Sequence, residues 1–321
     1  MGNLKCTTLN ATTEQIATIM GMNGPGNIWY VDYRNGNDND SGDSWERAFK
    51  TYSRAITAAV TNNNDIILID GDSTVAETAM VTLSKNRVHT IGINGMRHYG
   101  QGAKISLGVT TAATDIATFK NTGVRNTFTG IKFINNNTVD EGLYCVVEAG
   151  EYGTYRYCEF YKSTDMDVTG AAELVMNGDS AQLYNCTIGS LATARSGAVI
   201  RPNVLMTKGI ISGKVARDVY FENCKFWINA SNAANRFIYG ANATDVERIM
   251  ELKECSFINN GASSATPGQN VAFGSALTVG SVLLNDCISV NAATAMSTTT
   301  GVFVSGAVPA ADTSGIALQA T

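Results

Sequence analysis

Seven short segments of this chain share one pattern of apolar residues, and they recur at intervals of about thirty. Five centre on cysteine: YRYCEF at Cys158, LYNCTI at Cys186, FENCKF at Cys224, LKECSF at Cys255 and LNDCIS at Cys287. Two centre on isoleucine, VHTIGI at Ile91 and FTGIKF at Ile131. With the centre called i, apolar side chains fall at i−3, i and i+2. They are Val88/Ile91/Ile93, Phe128/Ile131/Phe133, Tyr155/Cys158/Phe160, Leu183/Cys186/Ile188, Phe221/Cys224/Phe226 and Leu252/Cys255/Phe257. Only Leu284/Cys287/Ser289 loses its last member. Successive centres lie 40, 27, 28, 38, 31 and 32 residues apart, a period that marks a repeat architecture.

The phase of the pattern specifies a shape. Residues i and i+2 share one face of a strand because side chains alternate. Residue i−3 is out of phase with them, so the chain must bend between two short strands that face one interior. Position i−1 is mostly polar or small: Gly130, Asn185, Asn223, Glu254 and Asp286. The chain holds 31 Gly and 30 Asn against 4 Pro. Gly and Asn tolerate left-handed backbone angles, as many tight corners require. Asn135, Asn229 and Asn259 follow the second strand, where amides could stack along the axis. Stacked coils of this kind bury one continuous core.

Residues 28–60, IWYVDYRNGNDNDSGDSWERAFKTYSRAITAAV, closely resemble the opening of pectate-lyase-like right-handed parallel β-helix proteins. The matching parts are Tyr30-Val31-Asp32, the Asn/Asp/Gly loop 35–44, Phe49-Lys50-Thr51 and a helix around 52–60 with Tyr52, Ile56, Ala59 and Val60 on one side. The resemblance implies an all-β, right-handed parallel β-helix solenoid whose short N-terminal helix caps the open end. We expect an arm at 1–27, the cap at 28–64, coils at 65–291 and a C-terminal arm at 292–321. The superfamily contains lyases, hydrolases, adhesins and phage virion proteins, so it implies a fold more than a function.

A net charge of −5 argues against nucleic-acid binding. No run of eighteen apolar residues exists to span a membrane, and MGNLKCTTLNATTEQ has no apolar core of a secretory signal. Synthesis in a host cytoplasm is expected. The seven cysteines show no metal-binding spacing and are read as reduced and structural.

Candidate chemistry is sparse. Asp38, Asp40 and Asp43 could hold calcium, but they lack the EF-hand register and read as a solvated turn. His89 and His98 have no partner implied by spacing. Asp165 and Asp167, with Arg156, Glu159 and Lys162 nearby in sequence, are the candidate catalytic set, since paired carboxylates serve glycoside hydrolysis. Tyr144, Tyr152, Tyr155, Tyr157 and Tyr161 cluster, and Trp227 and Tyr239 could face a sugar. No catalytic, metal-ligating or cofactor-binding residue is assigned.

Residues 1–27 hold one short helical stretch, Thr12–Met20, and 292–321 carry Asp312 as their only charge. Neither end resembles a folded unit, and apolar ends suit docking. The function expected is a non-enzymatic phage virion protein, a trimeric capsid decoration (cement) protein bound to the shell through its termini. The alternative is a polysaccharide lyase or hydrolase, such as a tailspike-like depolymerase acting along the wall. The expected partners are two further copies, a capsid protein and a surface glycan.

Overall fold

The computed structural model describes residues 26–71, 74–93, 97, 99–108, 116–137, 142–164, 168–211, 213–230, 232–261, 267, 269–291, 296–305 and, as backbone, 316–318. Within them the chain is a parallel β-solenoid of three sheets, with ten, nine and seven strands. A coil runs through one strand of each sheet in turn. Thr127–Thr129 lies in the ten-stranded sheet, Lys132–Asn135 in the nine-stranded sheet and Tyr144–Glu148 in the seven-stranded sheet. Thr154–Arg156 then begins the next coil, pairing in parallel with Thr127–Thr129.

The apolar triads stack in register. Phe128, Tyr155, Leu183, Phe221, Leu252 and Leu284 are successive partners in the ten-stranded sheet. Phe133, Phe160, Ile188, Phe226, Phe257 and Ser289 are successive partners in the nine-stranded sheet. Aromatic rings stack along these columns, with centroids 4.7 Å apart for Phe128–Tyr155 and 4.9 Å for Phe226–Phe257. The bend between them is a left-handed residue at i−1 in each of these coils: Gly130, Tyr157, Asn185, Asn223, Glu254 and Asp286, with φ between 51° and 68°. Each inward thiol of the cysteine column lies 3.5–3.7 Å from a carbonyl oxygen of the preceding coil.

The first centre is Ile93 rather than Ile91. Thr90 pairs with Phe128 and Ile91 with Thr129, so Ile91 faces outward. A Cβ on Gly92 would meet the Gly130 carbonyl oxygen at 2.3 Å, which places Gly92 at the corner. The apolar Val88 sat near the right spacing and disguised the two-residue slip. The expected Asn stack is also absent: Ile228, not Asn229, pairs with Asn259, and Asn135 pairs with Lys162. Buried Asn side chains instead tie coils singly, as when Asn203 Nδ2 donates to the Ile188 and Trp227 carbonyls at 2.8 and 2.9 Å.

The helix Tyr52–Ala58 covers the N-terminal end, capped by Thr51 Oγ1, which accepts from Arg54 N at 3.2 Å. It buries Tyr52, Ala55 and Ile56. It stops short of Val60, which is exposed, so the apolar stripe is shorter than its spacing suggested. The parallel stack continues past residue 291. Val302–Val304 adds the last strand of the ten-stranded sheet, and Ile316–Leu318 closes the nine-stranded sheet in antiparallel pairing with Ile288–Val290. The stretch Thr12–Met20 lies outside the described residues.

The middle of the seven-stranded sheet's outer face is apolar and covered. Ala117, Tyr144, Val147, Ala149, Ala172 and Val175 form a second cluster there, packed by Ile210 and Ile211 among others. Polar wall surface is therefore concentrated on the other two sheets and at the corners.

Candidate functional site

A second left-handed column turns the chain from the seven-stranded sheet into the ten-stranded sheet. It comprises Arg125, Tyr152, Ser180, Asp218 and Arg248, with φ of 58°, 56°, 56°, 49° and 65°. Just before them, Val124, Glu151, Asp179 and Arg217 form isolated parallel bridges, and Glu247 pairs with Arg217. Two adjacent columns of side chains therefore project from one edge, and most of them are charged.

Arg217 joins two carboxylates, with Nη1 at 3.2 Å from Asp179 Oδ2 and Nη2 at 2.8 Å from Glu247 Oε2. Its hydrogen bond to Glu247 comes first among the causes that raise its pKa further above the ordinary arginine value. Arg248 pairs with Asp218 and lies 3.8 Å from Asp179. Lys214 meets Glu151 at 2.9 Å. A cleft of ≈ 700 Å³ opens here, lined on one side by Lys208, Gly209, Gly213 and Lys214, and on the other by Thr244, Glu247, Arg248 and Val279. Lys208 has no carboxylate partner among the described residues, and the Arg248 side chain is 57% exposed.

The loop carrying the two lysines is held by one buried side chain. Asn177 Nδ2 donates to the carbonyls of Thr207 at 2.8 Å and Lys214 at 3.1 Å, and its Oδ1 accepts from Ile211 N at 2.9 Å. On the ten-stranded sheet, the Arg156 guanidinium sits 5.2 Å from the centre of the Tyr184 ring, and Tyr184 packs 5.8 Å from Tyr220. Partial burial and the neighbouring Glu222 push the Tyr220 phenol up to about 12.

The candidate catalytic set does not converge among the described residues. Arg156 lies on the ten-stranded sheet, and Glu159 on the nine-stranded sheet, where it pairs with Lys132 at 3.1 Å. Lys162 is buried, donates to the Gly142 carbonyl at 3.1 Å, and is pushed by burial down to about 8. Near it lies a second buried group, Glu173 with Arg195 at 2.7 Å and Arg201 at 3.7 Å. Asp165, Asp167 and His98 lie outside the described residues.

The remaining sequence candidates have structural partners or positions. Asp38 accepts from Lys50 N, Thr51 N and Thr51 Oγ1, each at 2.9 Å, while Asp43 pairs with Arg47 at 2.9 Å. These bonds draw Asp38 and Asp43 to separate partners rather than toward a shared cation. His89 faces outward and its Nδ1 lies 2.8 Å from Thr127 Oγ1. Burial pushes its pKa down to about 4. Tyr155 belongs to the core and Tyr144 to the outer apolar cluster, while Tyr152 is exposed.

Sequence reasoning missed Glu151, Asp179, Arg217 and Glu247. A signal existed: the first three lie seven residues before a centre and Glu247 eight, on the same repeat that named the cysteines. Their side chains vary from coil to coil, so an apolar pattern search passes over them.

No protein-family model matches the chain, and no curated protein is similar to it in sequence. Solved structures share its fold. The pectate lyase Pel9A superposes with a TM-score of 0.57 at 15% identity, over 84% of this chain and 64% of its own. A rhamnogalacturonan lyase gives 0.57 at 13% identity over 82% and 68%. The pectin methylesterase from Aspergillus niger gives 0.54 at 12% over 88% and 82%. The chain thus spans less than two thirds of the pectate lyase's length. At these identities the likeness is one of fold, and it bears out the parallel β-helix of pectate-lyase-like proteins.

The comparisons correct the expectation of a non-enzymatic protein. All three of these neighbours are carbohydrate-active enzymes, so in them the same fold carries catalysis. None of the three is a virion protein, and the phage resemblance has no support in them.

Proposed function

We propose that this protein acts on an acidic polysaccharide, bound along the corner between the seven- and ten-stranded sheets. The observation that carries this reading is the ≈ 700 Å³ cleft in which Lys208, Lys214 and Arg248 stand opposite or beside the Glu247 carboxylate. A sugar carboxylate would be drawn to Lys208 and to the exposed Arg248. The half-buried Tyr184 and Tyr220 on the adjoining ten-stranded sheet would offer ring surface to pyranose faces. Asp179 and Glu247 share one guanidinium, which puts them on the length scale of the roughly 5–9.5 Å carboxylate pairs of glycoside hydrolysis. The shared fold with two lyases and an esterase supports the carbohydrate class.

The test is turnover of a polysaccharide panel, from polyuronates to neutral glucans, read as unsaturated product by ultraviolet absorbance, as reducing ends and as released methanol. These three readouts separate elimination, hydrolysis and ester cleavage. Activity on a polyuronate that falls at least a hundredfold in Glu247→Gln supports the reading. No turnover of any member, or turnover indifferent to both Glu247→Gln and Asp179→Asn, overturns it.

A further inference from the structure

The outer face of the nine-stranded sheet lies well away from the cleft, yet it carries aromatic rings and cations at matched positions. One outward column runs Lys104, Lys132, Glu159, Thr187, Lys225; the next has Ser106, Ile134 and Tyr161 in register, with Gly189 and Trp227 paired further along the wall. The segment before Lys104 crosses this wall, and it brings Tyr99 to Trp227, more than a hundred residues away in sequence. The two ring centroids are 5.7 Å apart. Lys225 lies 5.8 Å from the Tyr99 ring, and Lys132 lies 4.6 Å from the Tyr161 ring. The crossing segment is anchored where Gln101 N donates to Glu159 Oε1 at 2.7 Å.

Two features point to a ligand. Tyr99 is 60% exposed although it is fixed against Trp227, so a large flat apolar surface is held open to solvent. Trp227 Nε1 is buried without a hydrogen-bond partner among the described residues. Lys104 and Lys225 have no carboxylate partner among the described residues, and Glu159 answers only Lys132. An aromatic surface rimmed by unpaired cations is complementary to a sugar ring bearing a carboxylate, whose C–H face stacks while its charge meets an ammonium. A nucleic acid fits less well, since the chain is net −5 and this face offers few cations to replace phosphate counterions.

We propose that Tyr99, Trp227 and Lys225 form a second, non-catalytic binding platform for acidic polysaccharide. The proposal rests on the carbohydrate reading above and places a second contact on a different wall. Such a platform raises the effective concentration of a long chain at the cleft.

The experiment is calorimetric titration of the full chain with an oligogalacturonate and, in parallel, with a neutral maltooligosaccharide and a single-stranded oligonucleotide. Tyr99→Ala removes an exposed side chain and should leave the thermal midpoint unchanged. It is expected to abolish one class of oligogalacturonate site, or to weaken it at least tenfold, while turnover of a short substrate stays the same. Lys225→Gln should weaken the same site several-fold and remove its salt dependence. An unchanged isotherm in Tyr99→Ala overturns the platform, as does equal binding of the neutral sugar or preferential binding of the oligonucleotide. Titration of Glu247→Gln separates the two ideas. A platform that survives there while turnover is lost supports both, and a platform that binds in a protein with no turnover on any substrate leaves only the cleft reading overturned.

Discussion

Tyr155 donates its phenolic hydroxyl to Glu148 at 2.5 Å in the centre of the solenoid, where both residues are fully buried. Asn121 Nδ2 reaches both carboxylate oxygens at 3.0 and 2.9 Å, and Gly150 N donates at 2.8 Å. Burial outweighs these donors and pushes the Glu148 carboxyl up to about 7.

A raised carboxyl pKa makes the folded state bind a proton that the unfolded state has released. Glu148 therefore contributes most stability below the ordinary glutamate value of 4.5, and loses that contribution as pH rises to about 7. His89 acts in the opposite sense. Held neutral down to about 4 against 6.5 unfolded, it lowers stability as pH falls through that window. Each effect is worth roughly 3 kcal/mol at 1.36 kcal/mol per pKa unit, so the two nearly cancel. Chemical denaturation across pH 4–7 should show this by difference. Relative to the parent, Glu148→Gln should gain stability with rising pH, and His89→Gln should lose it. Parallel curves for parent and variant would show that the buried group does not titrate there.

The corner residues supply a second prediction. Asn223 has φ of 51° and donates from Nδ2 to Asn185 Oδ1 at 2.7 Å. A β-branched side chain is strained in this backbone region by about 1–2 kcal/mol. Asn223→Ile should therefore lower unfolding free energy by about 2 kcal/mol, and Asn223→Gly by well under 1 kcal/mol. Equal losses would mean that the amide bond, not the backbone angle, is what matters.

Much of this fold could be read from residue types, because the interior repeats. A column of Phe, Leu and Cys is required wherever six coils share one core, so its spacing survives in the chain. The Ile91 assignment failed because Val88 and Ile93 are both apolar, and only strand pairing reveals that Thr90 takes the inward place. The cleft was hidden for a different reason. Glu151, Asp179, Arg217 and Glu247 occupy equivalent outer positions but carry different charges, and their meaning lies in pairing across coils thirty or more residues apart. Asp165 and Asp167 drew attention because they are neighbours in sequence, which in a solenoid says little about what they face.

The buried cysteines lead to a chemical prediction. Cys145, Cys158, Cys186, Cys224, Cys255 and Cys287 are all free and buried, and burial pushes Cys145 up to about 12. A reagent must reach the sulfur to react with it, so these buried side chains should be inert in the folded protein. Titration with a thiol reagent should label at most Cys6 under native conditions and all seven after denaturation. Rapid native labelling of two or more would show that the coils open locally.

Asn177 is the hinge pin of the cleft's lysine loop, and its removal should separate shape from charge. Asn177→Ala deletes three hydrogen bonds and leaves partly buried carbonyls without their donor, at a cost of about 1–3 kcal/mol. Binding of an acidic oligosaccharide should weaken because Lys208 and Lys214 lose their common anchor. Restoration of affinity by low salt would show that charge alone suffices and that the loop's position is immaterial.

Arg217 gives the sharpest contrast between stability and function. Its ion pairs with Asp179 and Glu247 join side chains between one-quarter and just over one-third exposed, and pairs so placed contribute only about 0–1 kcal/mol. Arg217→Gln should therefore shift the denaturation midpoint little, and less still in high salt. Yet it leaves two carboxylates facing each other at the mouth of a cleft meant to take an acidic sugar. Affinity for a polyuronate should fall at least tenfold, about 1.4 kcal/mol, with the loss concentrated at low ionic strength, where repulsion is least screened. A variant that unfolds instead would make Arg217 a structural keystone of the corner, and one that binds as tightly as the parent would move the sugar site elsewhere on the wall.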